Sequence, residues 1–123
     1  MKHSPGFLAL VDDALSRVKE VSVSEFKARW EKGWRPLLID VREDNEWAGG
    51  HIPGAEHLSR GILERDIEST CPDKGREIVL YCGGGFRSAL SGDSLGRMGY
   101  AKVLSLAGGW RSWNEAGYPI EKR

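Results

Sequence analysis

Apolar residues fall along this chain in short blocks of two kinds, some at helical spacing and some as continuous runs. Over residues 5–19, Phe7, Leu8, Val11, Leu15 and Val18 recur at intervals of three and four, which predicts a helix with one apolar face. Pro5 suits its first turn. Residues 21–23 read as a short strand. Phe26, Ala28 and Trp30 then lie in a helix opened by Ser22 or Ser24, with Ser22 and Glu25 at capping-box spacing and Gly33 as its stop. Residues 37–41 (Leu-Leu-Ile-Asp-Val) are almost wholly apolar, as in a strand covered on both faces. A brief helix over 43–48, a turn over 51–55 and a helix over 61–68 follow. The clearest strand is 77–82, which runs into three glycines and a helix beginning near Arg87. A strand over 102–106 and a helix over 108–116 end the pattern.

Strands separated by helices of about ten residues indicate stacked right-handed strand–helix–strand units. The expected fold is therefore α/β, with a mainly parallel sheet of four or five strands. Composition narrows the function without changing the fold. The 123 residues suit one domain, and 18 basic against 18 acidic side chains leave no net charge. That excludes a protein held to nucleic acid or to a membrane by bulk electrostatics. Two cysteines, Cys71 and Cys82, make no disulfide framework and no zinc spacing. The apolar run at 7–11 is too short for a secretory core. The expectation is a reduced, cytoplasmic protein with free thiols.

Ligands of open parallel sheets bind beyond the carboxyl ends of the strands, and Cys82 stands at such an end. Gly83, Gly84 and Gly85 let the backbone turn its amides inward, and the helix opening at Arg87 and Ser88 adds its first-turn amides. A thiol at the centre of that cradle is favoured as the thiolate, the nucleophilic form. Arg87 can close the loop or bind an incoming anion, and the Ser88 hydroxyl can reach the sulfur. A strand-end cysteine before a glycine turn is by itself a packing feature. The three glycines followed by Arg and Ser outweigh that reading. A nucleotide loop fails because no Lys-Ser/Thr follows and the glycine spacing does not fit.

Four segments carry a resemblance. They are Leu38 to Glu43 with Glu46 and Trp47, Gly50 to Ala55, Cys82 to Ser88, and Leu106 to Trp110 with Trp113 and Gly117-Tyr118-Pro119. In order and spacing, residues 21–121 resemble the rhodanese domain family. The resemblance implies a rhodanese-like fold, a mainly parallel five-stranded sheet flanked by helices on both faces, over residues 21–123. Residues 1–20 form a helical extension outside it. It implies sulfur transfer through a Cys82 persulfide, with Gly83, Gly84, Gly85, Phe86, Arg87 and Ser88 as the substrate-binding loop. No metal or organic cofactor is implied. The partners implied are thiosulfate as donor, and cyanide, a thiol or an acceptor protein as recipient. The alternative is a phosphatase or arsenate reductase using the same cysteine, but related phosphatases with a catalytic Cys and Arg place five residues between them and often a His before the Cys. This chain has four residues there and Tyr81. A non-catalytic sensing or interaction module would need neither Cys82 nor its glycines.

Asp40 and Arg42, at a strand end beside the expected cleft, are candidates to hold the loop or tune its charge, with a strand-terminal ion pair of structural value only as the equal alternative. Arg60 is a candidate rim cation for thiosulfate, with a lone exposed arginine of no site role as the favoured alternative. His51 reads as structural, holding its turn through a ring hydrogen bond. Cys71 reads as a passive thiol, with disulfide formation to Cys82 as its functional alternative. Trp47 and Trp110 are expected in the core.

Overall fold

In the computed structural model, which describes residues 3–122, the continuous apolar runs form strands and the amphipathic stretches form helices. Helix α1 spans Pro5–Leu15, strand β1 Lys19–Ser22 and helix α2 Val23–Glu31. β2 covers Leu37–Asp40, α3 Asp44–Ala48 and β3 Glu56–His57. After a 3₁₀ turn at Arg60–Ile62 come α4 (Leu63–Thr70), β4 (Ile78–Tyr81), α5 (Phe86–Arg97), β5 (Val103–Ala107) and α6 (Gly109–Glu115). The five strands run parallel in the order β1-β5-β4-β2-β3. β4 is thus central, and every position of β2 and β4 is buried.

The two-residue period of a strand sorts these buried side chains onto two faces. Leu37, Ile39, Ile78 and Leu80 meet Leu63, Ile67 and Leu95 of α4 and α5. Leu38, Val79, Tyr81 and Leu106 meet Phe26 of α2 and Trp113 of α6. Helices therefore cover both faces, as the resemblance implied. Among the described residues no helix is long and apolar enough to cross a membrane.

Two elements differ from expectation. α1 stops at Leu15 rather than near residue 19, because the chain straightens at Lys19 to pair with Leu104 of β5. β3, where a loop was expected, exists only through pairing of Glu56 and His57 with Ile39 and Asp40. α1 lies against α5, burying Val11 and Ala14 on Ala89. Val11 is 1% exposed, so Val11→Ala should cost about 1.5–3 kcal/mol, the transfer of two methyl-sized groups plus a cavity. Urea denaturation should show that loss in one transition followed by both circular dichroism and tryptophan fluorescence. Separate transitions would mean that α1 melts on its own.

Candidate active site

Because all strands are parallel, their carboxyl ends share one edge, and Cys82 follows the last residue of the central strand. Its residue is 1% exposed. Two backbone amides donate to its sulfur, Gly85 N–H at 3.1 Å and Ser88 N–H at 3.3 Å. The second belongs to the first turn of α5, whose unpaired amides and dipole also favour negative charge there. Of the three loop glycines only Gly85 has a left-handed backbone, with φ +101°. That conformation closes the loop into the helix and suits glycine. Ser88 Oγ lies 3.6 Å from Cys82 Sγ and 2.7 Å from Ser105 Oγ on β5. Both serines are fully buried, so with the sulfur anionic, Ser105 donates to Ser88 and Ser88 to the sulfur.

The loop is fixed from outside by α6. Trp110 N–H donates to the Cys82 carbonyl at 2.8 Å, and Arg111 N–H to the Gly83 carbonyl at 2.9 Å. Gly109 makes that approach possible, since its φ is +49° and a Cβ there would fall on the Cys82 carbonyl. An open cleft of about 560 Å³ leads to the sulfur, lined among others by Gly83, Gly84, Phe86, Arg87 and Trp110.

Arg87 does line this cleft, but its guanidinium grips the Glu46 carboxylate through two bonds of 2.8 and 3.2 Å. Glu46 also accepts the Glu43 N–H at 3.0 Å, so α3 is tied across to α5. The bonded guanidinium holds the Glu46 carboxyl below its usual value, and the same pairing raises Arg87. Asp40 and Arg42 lie outside the cleft wall as a buried pair, 0% and 2% exposed. Arg42 donates to both Asp40 oxygens and to the Gly50 carbonyl, and its guanidinium lies 4.5 Å from the Trp110 ring centre. Tyr81, before the cysteine, takes the Ile52 N–H at 3.0 Å. Burial, with Asp40 beside it, pushes its phenol far above the usual value, so it is neutral.

Arg60 is not at the rim. It bonds Glu64 and, at 3.2 Å, Ser94 Oγ, nearly two turns along α5 from Ser88. His51 is buried, with Nδ1 3.2 Å from the Ile52 carbonyl and its ring stacked 3.6 Å from that of Trp47. Trp110 is half-buried, packed against the core on one side and lining the cleft on the other. Cys71 lies toward the opposite edge of the sheet. Its carbonyl accepts the Tyr100 hydroxyl at 2.6 Å, just ahead of β5, which places it away from Cys82.

Sequence reasoning did not single out Ser105, Arg111, His3 or Phe7, the last three of which line the cleft. Ser105 was detectable as the one polar side chain in the apolar run of β5. The others come to the site through packing of separate elements.

Two outcomes follow from this geometry. Gly109→Ala should destabilise the protein by about 1–3 kcal/mol through backbone strain and collision with the loop. Gly61→Ala, whose added carbon meets nothing within 4 Å, should be close to neutral, and urea denaturation of both variants checks the contrast. Since the folded carboxyl of Glu46 titrates below its unfolded value, its pairing stabilises fully above about pH 4.3 and fades as pH falls through the folded value. With Glu46 one-third exposed, Glu46→Gln should cost roughly 0.2–1 kcal/mol at neutral pH. That gap should close in acid, and a gap constant from pH 7 to pH 3 would remove the pairing from the account.

The chain is similar to several known proteins. YtwF, a proposed sulfurtransferase of Bacillus subtilis (strain 168), is 36% identical over 96 residues, covering 78% of this chain and 90% of that one. A Rhodopseudomonas palustris structure, described as of unknown function and a possible tyrosine phosphatase, superposes with TM-score 0.87 at 30% identity, covering 98% of both chains. The homodimeric polysulfide-sulfur transferase of Wolinella succinogenes superposes with TM-score 0.80 at 28% identity, covering 96% of this chain and 88% of that one. The model of the rhodanese-like domain matches residues 22–116, and this chain belongs to the rhodanese-like domain family.

Proposed function

We propose that this chain is a sulfurtransferase that carries sulfane sulfur on Cys82 as a persulfide. The observation that carries the reading is the pair of amide donors, from Gly85 and Ser88, aimed at one nearly enclosed sulfur. Donors fixed in advance stabilise negative charge without reorganising as it arrives.

In the first step the Cys82 thiolate attacks the outer sulfur of thiosulfate. A new bond forms from Sγ to that sulfur, the sulfur–sulfur bond of thiosulfate breaks, and sulfite leaves with the electron pair. The persulfide then rests in the loop. An acceptor such as cyanide attacks the outer sulfur, and Cys82 departs as thiolate. The chemistry requires no resident metal or organic cofactor. The sulfurtransferase relatives support the reaction class, and the four-residue loop supports a centre smaller than a phosphoryl cradle.

Intact-mass measurement after thiosulfate treatment tests the reading. The wild type should gain one sulfur atom, cyanide should remove it, and Cys82→Ala should gain none. Initial rates should give parallel double-reciprocal lines, as expected for a covalent intermediate. No gain of sulfur on a freely alkylated Cys82 would sink the proposal. Turnover of aryl phosphates at rates comparable with thiosulfate would move the assignment to phosphoryl transfer.

A further inference from the structure

The match to the family begins at residue 22, yet α1, which lies before it, reaches the active cleft. Phe86 occupies the loop between Gly85 and Arg87. Its ring meets His3 edge-on at 4.6 Å and Phe7 at 6.1 Å between centres, and those two rings lie 5.2 Å apart. α1 is anchored on α5 through Val11 and Ala14, so the ring cluster is held by a buried contact. Trp110 adds a fourth ring to the lining.

Charge in the cleft is distributed unevenly. Arg87 is neutralised by Glu46. Arg111 is exposed and, among the described residues, takes part in no ion pair within 4.0 Å. A small hydrated ion gains nothing from aromatic walls, which exclude part of its water. Pockets that hold organic ligands have this other make-up, apolar and aromatic walls with a few placed polar groups. The volume, about 560 Å³, lies in their range.

Resting on the sulfurtransferase reading, we infer that His3, Phe7 and Phe86 form a specificity wall for an organic thiol acceptor with a planar apolar body and an anionic group, the anion meeting Arg111. The acceptor thiolate attacks the outer sulfur of the Cys82 persulfide. A bond forms from the acceptor sulfur to the outer sulfur, and the bond from that sulfur to Sγ breaks. Cys82 leaves as thiolate with the electron pair, and the product is the acceptor persulfide anion, with no proton transferred. No oxidant is consumed.

The test uses the full chain loaded with thiosulfate, with 4-mercaptobenzoate, thiophenol and cyanide as acceptors. In Phe7→Ala the ratio of kcat/KM for 4-mercaptobenzoate over cyanide should fall about tenfold, and Phe7→Tyr, which keeps the ring, should hold it within about twofold. Arg111→Gln should lower the ratio of 4-mercaptobenzoate over thiophenol about threefold, the scale of an exposed ion pair. Should Phe7→Ala fail to fold, the Arg111 and Phe7→Tyr results carry the decision. A persulfide that forms normally, with both ratios unmoved by Phe7→Ala and Arg111→Gln, overturns the wall alone. Absence of the persulfide in the wild type overturns both the wall and the reading beneath it.

Discussion

A sulfur that is to carry charge while its residue is 1% exposed needs donors in place before the charge appears, and most of the chain serves that requirement. Backbone amides supply those donors, so their positions belong to the fold and not to any side-chain rotamer. Parallel packing puts Cys82 at the outlet of the central strand, and Gly85 in its left-handed conformation turns the chain there into α5. α6 then seizes the Cys82 and Gly83 carbonyls from behind. In a trans peptide the N–H points opposite to the C=O, so holding these carbonyls against α6 turns the Gly83 and Gly84 amides away from it, and the next amide, that of Gly85, meets the sulfur. Two glycine-bearing segments, at 83–85 and 108–109, thereby act as one device.

The hydrogen bonds to the sulfur come from neutral groups, and the Arg42 and Arg87 cations are each paired with a carboxylate. The Arg87 cation is spent on Glu46, and the Arg42 cation on Asp40. Each pair ties separate segments together: α5 to α3 in the first case, and the end of β2 to the turn after α3 in the second. On the proposed reading, neutral amides stabilise the thiolate and the persulfide alike, which suits a group that is both loaded and emptied. Arg42 reaches the site only through the ring of Trp110, a positioning influence and no contact with the cleft.

Much of this fold was legible because strands buried on both faces have to be continuous apolar runs, as in residues 37–41 and 77–82. β3 was not legible, since Glu56 and His57 carry no apolar pattern and become a strand only by pairing with β2. Val18 kept helical spacing while lying outside the helix, because its burial is tertiary. Within the site, Cys82, Gly85 and Ser88 were readable as neighbours in one loop. Ser105 stood out only as a polar residue in an apolar run and Glu46 only as part of a motif, while their contacts, like the place of Arg111, join elements distant in sequence. Arg60, a candidate rim cation in the sequence, is paired in the structure with Glu64, four residues on.

Phe86 joins these levels most directly. In sequence it is a loop residue between the last glycine and Arg87, and in space it is also a packing residue for α1. Its backbone opens α5, the helix that presents the Ser88 amide to sulfur. Its side chain meets Phe7, so α1 is packed against the first residue of the donor helix. A segment outside the residues matched by the family is thus packed on the loop that surrounds Cys82. Variation in such a segment can reshape the mouth of the cleft while the donors around Cys82 stay as the parallel sheet placed them.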